Sequence, residues 1–548
     1  LLSALLFVMG MADIYYQWAA LLLLAAAAAL FWRNAQRLWD LLRRAEAGYA
    51  ACARGPLWGL CLVFVFVFSL SSAMVVLSPE IAFDPVSFHF VLARDYAAGH
   101  GLAVVPHLPY SYFPQNVEML YALGFLLEGQ ATAKILAYAF FPLAAMALAL
   151  IGRRWFSPAA AVLGPALFLT TPFIAWTGSV AKNDMALTLY LLLSLYAVMR
   201  WIEDCRFGWL AAAAMLLGFS FGVKHVAVMG AVPLAALAAW HWRRARLRLR
   251  QALAVAAILA CSGLFWHART WALAGHPLYP EFFSSAVDST TAKGHPELSW
   301  LDRAGVLLTV PWRVHFRGLH AFESPSPNPC GFALVAFLPL LFRRRAARSR
   351  AATLLLLFCA GYFLYFAAIL IKVRYAMAAF GVVFVYLGDR LGDFYASGGA
   401  ARRASILALA AYSFVFSLSL TLILEMNRPR LDLFARRISR EQFLRQSLLT
   451  YRSIEALNKV ARPGERAYSV GNCSTFYANI EFHCYFDDAA NYTVEKVSRD
   501  LRHHNFQYLI VSNEWAEPAH LRVVEQLYHP VLLYQDESFR LYRVYRFG

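Results

Sequence analysis

Long apolar runs, most of them closed at one end by a short block of arginines, constrain this chain more than any other feature. Runs of about 17–22 residues are long enough to cross a hydrocarbon core of about 30 Å as helices. They fall near residues 12–32, 57–77, 132–150, 158–178, 185–201, 208–223, 226–242, 251–272, 329–342, 351–371, 376–393 and 405–425, with 1–11 as the remains of another. The run at 329–342 is short, and its outer end is expected to begin earlier. A chain that is 60% hydrophobic and 15% charged over 548 residues has too little polar surface for a water-soluble globule. The expected class is therefore an α-helical polytopic membrane protein with about twelve transmembrane helices. The start, at Leu1 without Met, is not expected to be a cleavable signal peptide, and the true N-terminus is left open.

The formal net charge of +17 raises nucleic acid as a partner, but the placement of the charge argues against it. The arginines cluster between apolar runs, from Arg33 to Arg54, at Arg153–Arg154, from Arg243 to Arg250, from Arg343 to Arg350 and at Arg402–Arg403. That is the positive-inside pattern. No nucleic-acid partner is expected. With those blocks in the cytoplasm, the outward loops are 79–131, the turn around Asp184, the break at Lys224–His225, 273–328, the turn around Lys372–Arg374 and the tail from 426. Two outward loops are long while the inward ones are short and basic, so chemistry is expected on the extracytoplasmic face. The expected location is the bacterial cytoplasmic (inner) membrane, with the C-terminal unit outside.

The domain plan that follows is a transmembrane part over 1–425, a linker helix along the membrane surface over 426–452, and an α/β domain over 453–548. In the last part "RAYSV", "CYFDD", "YLIVSN" and "PVLLYQDESFRLYRVYRF" read as strands, with "TVEKVSRDLRHHN" and "AHLRVVEQLY" helical between them. The chain has eight cysteines without metal-ligand spacing. Cys473 and Cys484 lie in the polar tail at the end of one strand and the start of the next, and outside the cytoplasm a disulfide between them would persist. Two independent buried thiols are the alternative.

The segment "FDPVSFHFVLARDYAAGHGL" places an acid just beyond an apolar run. An ionisable residue there needs a partner or a task. Asp84 before Pro85 fits a helix N-cap, opening an amphipathic helix over Val86–Ala98 along the interface. A second interfacial helix follows in "YSYFPQNVEMLYALGFLLEG", with Tyr110, Tyr112 and Phe113 as anchors. His89, five positions on, is too far round for the same α-helical face as Asp84 and is open to facing a groove or being a plain interface histidine. Asp184 either caps the helix "MALTLY" or serves a site. Lys182, Glu118 and Asp95 are weaker candidates.

These motifs, in their order, resemble the GT-C superfamily of integral-membrane glycosyltransferases, in the bacterial branch similar to protein O-mannosyltransferases and the lipid A aminoarabinose transferase. The likeness rests on the acid of the first outward loop with "FPQNVEMLY", then "TPFIAWTGSVAKNDMALTLYLLLSLYA", "LGFSFGVKHVAV", "WHARTWALAGHPLYP" and "KVRYAMAAF", over residues 57–395. It implies a polyprenyl-phosphate sugar donor and a glycolipid, protein or wall-polymer acceptor on the extracytoplasmic face. Asp84 is then the catalytic base, with Asp184 and His89 beside it. Lys224, Arg269, Arg374 and Tyr375 would bind the donor phosphate, since a lipid phosphate needs cations at headgroup depth. No obligatory metal is expected, although two carboxylates are compatible with a weakly held divalent cation. Two departures stand out. Pro85 follows Asp84 where the eukaryotic mannosyltransferases have a second acid, and His276 replaces a frequent Asn. A catalytically silent accessory subunit of a membrane complex and a secondary transporter are the alternatives. The transporter would place its charges at the bilayer midplane.

Overall fold

The structure is a computed structural model of the 548-residue chain. It describes residues 2–52, 55–105, 108–242, 244–245, 247–279, 328–343, 349–369, 372–426, 428–471, 473–484, 505–513 and 518–546, with isolated positions within 299–312 and at 502. Most of the expected loop 273–328 and the helical stretch 493–505 lie outside the described residues.

Among the described residues, seven helices are long and apolar enough to cross a membrane. They are Gln17–Arg37, Pro56–Leu77, Gln130–Trp155, Asp184–Asp204, His225–Trp242, Leu249–Ala274 and Ala400–Leu422. An eighth span is bent by 72° between Ala160–Leu169 and Pro172–Ser179. Pro172 at the start of the second piece has no N–H to continue the ladder, which is why a break falls there. Helices Phe207–Phe221, Arg350–Ile369 and Met377–Ala396 complete the bundle.

Several expected boundaries move. The first run is not one span at 12–32: a ten-residue helix, Leu2–Met11, ends in a turn with Asp13 at φ 54°, and the spanning helix begins at Gln17. The run 329–342 yields only Ala333–Leu341 as helix, nine residues including Pro339. The helix Asn116–Leu127, expected to lie along an interface, is a core element with Asn116, Val117, Glu118, Met119 and Tyr121–Gly124 buried.

Burial sorts the helices by position. In Met377–Ala396 almost every residue from Met377 to Leu391 is buried, as an apolar helix at the bundle centre should be. Pro56–Leu77 instead exposes Leu62, Val63, Phe66, Leu70 and Leu77, an apolar surface suited to lipid. Small residues let the central helices approach closely. A Cβ on Gly388 would sit 2.8 Å from the backbone nitrogen of Gly164, so any larger residue would force Ala160–Leu169 and Met377–Ala396 apart.

In place of a single linker helix over 426–452, two short helices occur, Arg430–Phe434 and Arg440–Ser447. Ser439 caps the second by accepting the Gln442 N–H, which fixes its start. The tail then forms a five-stranded sheet: β1 Arg466–Val470, β2 Glu481–Cys484, β3 Tyr508–Ser512, β4 Tyr528–Gln535 and β5 Phe539–Arg546, in the order β2-β1-β3-β5-β4. Strand β2 reads "EFHC" and pairs in parallel with β1; of the expected strand "CYFDD" only Cys484 falls within the described residues, and it lies in β2. Side chains alternate across the sheet. Tyr468, Leu509, Val511 and Val544 pack on one face with Val524 of the helix Pro518–Leu527. Ala467, Tyr508, Ile510 and Leu541 pack on the other with Leu457 of the helix Tyr451–Val460.

Candidate active site

Asp84 lies beyond the helix Pro56–Leu77, after an irregular stretch at 79–82. Its side chain makes no capping hydrogen bond, so the N-cap alternative does not hold. The helix that follows opens as a π-turn, Pro85–His89, in which the Phe90 N–H reaches the Pro85 carbonyl. An i→i+5 pattern of this kind is frequent at functional sites. It also brings residue 89 nearer the Asp84 side of the helix than an α-turn would.

The Asp84 carboxylate meets Lys182 Nζ at 2.9 Å and Arg374 Nη2 at 3.1 Å. Arg374 also reaches Asp184 through Nε at 3.3 Å, and Lys224 Nζ lies 3.1 Å from the other Asp184 oxygen. Two acids and three cations from four separate segments therefore form one network, with Arg374 as the bridge. Each of these residues comes at or beyond a helix end: Lys182 between Pro172–Ser179 and Asp184–Asp204, Lys224 between Phe207–Phe221 and His225, and Arg374 just before Met377. All these ends lie at the same side of the bundle. Asp184 is only 1% exposed, so its charge depends on these partners.

Aromatic faces complete the setting. Lys182 Nζ lies 4.8 Å from the Trp176 ring centroid, and Lys224 Nζ lies 4.6 Å from that of Tyr375. Tyr362 fixes this turn by donating to the Tyr375 carbonyl at 2.7 Å. Burial alone would raise the Asp84 pKa. Lys182 first, then Arg374, Lys372 and His89, outweigh it and hold the carboxyl well below the usual carboxylate range. Burial and the Arg374 charge push Lys182 down to about 8, against the pull of Asp84 and Asp184.

His89 does not face a groove. It is buried, with Nδ1 2.6 Å from Glu118 Oε1. Glu118 in turn accepts from Asn183 Nδ2 at 3.4 Å, next to Asp184. Arg269 stands apart from the acid network. Its Nη1 donates to the Ser111 carbonyl at 3.1 Å, its guanidinium lies 5.8 Å from the Trp266 ring, and its buried Nη2 finds no hydrogen-bond partner among the described residues. Asp95 pairs with Arg94 at 3.0 Å, away from the site.

Lys182, a weaker candidate from the sequence, is brought directly against Asp84. Its place two residues before Asp184, in the turn between two apolar helices, was the available signal. Glu80 and Lys134 were missed altogether. Lys134 Nζ lies 3.3 Å from Glu80 and donates to the carbonyls of Val75 and Ser78, both at 2.8 Å. Glu80 accepts the N–H groups of Ile81, Ala82 and Ala181. It thereby ties the Asp84 segment to the Lys182–Asp184 turn. Among the described residues no group of three metal-ligating side chains occurs.

Comparisons with known proteins agree with this architecture. Residues 116–266 match the family described as dolichyl-phosphate-mannose-protein mannosyltransferase. That stretch contains Glu118, Lys182, Asp184 and Lys224, but not Asp84, Arg269 or Arg374. The fold matches ArnT from Cupriavidus metallidurans bound to undecaprenyl phosphate, with a TM-score of 0.55, 15% identity, and 88% of this chain and 98% of that one covered. It also matches the Archaeoglobus fulgidus oligosaccharyltransferase in complex with zinc and sulfate, at a TM-score of 0.50 and 13% identity over 88% of this chain and 73% of that one. An uncharacterized protein of Shigella flexneri is 34% identical over 96 residues, 18% of this chain and 46% of that protein, so the match takes in less than half of that relative. The chain has the fold of the GT-C glycosyltransferases, with a small C-terminal sheet domain. The resemblance read from its motifs holds at the level of fold.

Proposed function

We infer that this protein transfers a sugar from a polyprenyl-phosphate donor to an acceptor hydroxyl on the extracytoplasmic face of the membrane. The observation that carries the reading is the Arg374 bridge between Asp84 and Asp184, with Lys182 and Lys224 completing it at the helix ends. A donor whose lipid cannot leave the bilayer presents its phosphate at that depth, where cations are needed. Charges at helix ends fit this better than they fit a transport path through the midplane. The bound undecaprenyl phosphate in the ArnT structure supports the same donor class.

In this reading the acceptor oxygen attacks the anomeric carbon, the bond from that carbon to the phosphate oxygen breaks, and the polyprenyl phosphate leaves. Asp84 takes the hydroxyl proton, and the configuration inverts. Paired with two cations, the resting Asp84 is a weak base. Donor phosphate entering among Arg374, Lys182 and Lys224 shares those charges, which relieves Asp84 and raises its basicity at the moment of attack. Arg269, outside the acid network, is assigned here as a further phosphate contact on the strength of its buried Nη2, which has no hydrogen-bond partner among the described residues. His89 acts through Glu118 on the packing behind the acid rather than on substrate. No metal ligand is assigned, and a weakly held divalent ion between the carboxylates would be an addition to this scheme. The acceptor is a hydroxyl of a glycolipid, protein or wall polymer.

The test is incubation of the purified protein with a panel of labelled polyprenyl-phosphate sugars and membrane acceptors, wild type beside Asp84→Asn. Transfer by the wild type from at least one donor, lost in the variant, is expected. No transfer from any donor would remove the reading.

A further inference from the structure

Asp84 leaves the helix Pro56–Leu77 on a stretch without regular hydrogen bonding at 79–82, so something outside that stretch must hold it in place. Part of the support is internal, through the Glu80 carboxylate. The rest comes from the C-terminal unit. Tyr477 donates its hydroxyl to the Glu80 carbonyl at 2.8 Å, and the Phe476 N–H donates to the Val86 carbonyl at 2.9 Å. These contacts grip the backbone on both sides of Asp84.

The gripping residues are themselves fixed. Phe476 packs against Phe90 and Phe125, with centroids 5.6 and 5.8 Å away. Arg94 donates to the Phe476 carbonyl at 2.6 Å and the Ala478 carbonyl at 3.3 Å, with its guanidinium 5.6 Å from the Phe476 ring. Gln130 donates to the Tyr477 hydroxyl at 3.0 Å. The loop that carries Phe476 and Tyr477 is closed by the Cys473–Cys484 disulfide, with Cα atoms 5.4 Å apart. Cys484 ends strand β2, so the bridge ties the loop to the sheet. Closing a short loop reduces the conformations open to it when it is not docked.

We propose that the disulfide-closed loop 473–484 is a positioning element for Asp84, acting through the backbone at Glu80 and Val86. The proposal rests on Asp84 being the base. The loop holds the backbone on both sides of Asp84, at Glu80 and Val86, and is anchored on the other side to Asn458 and Tyr451 of the C-terminal unit, so its effect is on where the carboxylate sits. A base displaced by a fraction of an ångström slows the chemical step without weakening the ground-state hold on donor. Turnover is therefore what the loop controls, and donor affinity is not.

The experiment uses full-length protein and three variants: Tyr477→Phe, the double Cys473→Ala/Cys484→Ala, and Asp84→Asn. Turnover and donor KM are measured together with hydrogen exchange of the amides in 81–86. Tyr477→Phe keeps the ring in place and removes only the hydroxyl, so its expected loss is about tenfold in kcat. The double variant is expected to lose about ten- to a hundredfold. In both, donor KM stays within about twofold and the amides of 81–86 exchange faster. Wild-type kcat with unchanged exchange in Tyr477→Phe overturns the proposal, and so does a loss confined to KM. Asp84→Asn separates the two levels. If it retains turnover, the base assignment fails and this proposal with it. If it is inactive while the loop variants turn over normally, only this proposal fails.

Discussion

Lys182 and Asp84 are partners across two loops: the ammonium of one lies 2.9 Å from the carboxylate of the other, and both groups are largely withdrawn from solvent. The pairing sets a pH dependence. Lys182 carries its proton below about 8 and loses it above. Losing it removes one cation from the proposed donor-phosphate site. Donor KM of the wild type is expected to rise as pH passes about 8, and to stay flat in Lys182→Arg, whose guanidinium remains charged. An identical profile for the two proteins would take Lys182 out of donor binding.

Arg374 and Arg269 should respond differently to truncation. Arg374 holds two carboxylates, one of them almost fully buried. Arg374→Ala is expected to lower thermal stability by about 3–5 kcal/mol as well as abolish transfer, because it leaves buried charge short of a partner. Arg269→Ala removes one carbonyl hydrogen bond and the stacking on Trp266. It is expected to raise donor KM with a much smaller stability loss, about 1–2 kcal/mol. Equal stability losses in the two variants would contradict the bridging role of Arg374.

The Glu80–Lys134 pair offers a test by double-mutant cycle. Both side chains are almost wholly buried. Lys134→Met leaves Glu80 without its cation, with an expected cost of about 3–5 kcal/mol. Glu80→Gln combined with Lys134→Met removes both charges and is expected to recover more than half of that loss. Strict additivity of the two single changes would mean the groups are not coupled.

The fold was legible because a bilayer leaves little choice. Apolar runs of spanning length marked most helices, and the arginine blocks placed Asp84, Asp184, Lys224 and Arg374 at one end of the bundle. Boundaries were less legible, because the turn at Asp13 and the break at Pro172 fall where apolar composition continues on both sides. The start of strand β2 at Glu481 was not read from sequence, because a strand this short is fixed by its parallel pairing with β1 rather than by a local pattern. Within the site, the acids stood out as charges beyond apolar runs. Their pairing did not, since nothing local joins Lys182 to Asp84 or Glu80 to Lys134. The π-turn after Asp84 was also invisible, because its sequence is compatible with an ordinary helix start.

Orientation has its own check. A reporter fused after Gly548 is expected to read as extracytoplasmic, and one inserted near Arg246 as cytoplasmic. Peptide mapping under non-reducing conditions should recover Cys473 linked to Cys484 from protein purified without reductant. A cytoplasmic C-terminal reporter would place the site on the wrong side for the proposed donor pool, and free thiols at both positions would remove the bridge and weaken the outward assignment of the tail.

The central claim is that Asp84 is the base while Arg374, Lys182 and Lys224 receive the donor phosphate. Single-turnover transfer by wild type and Asp84→Asn, with donor affinity measured on the same samples, tests it most directly. The amide keeps the volume of the carboxylate but cannot take the proton. The account predicts donor binding within about threefold of wild type and a chemical step slower by about 10²–10⁴-fold. A variant that transfers sugar at the wild-type single-turnover rate would contradict it.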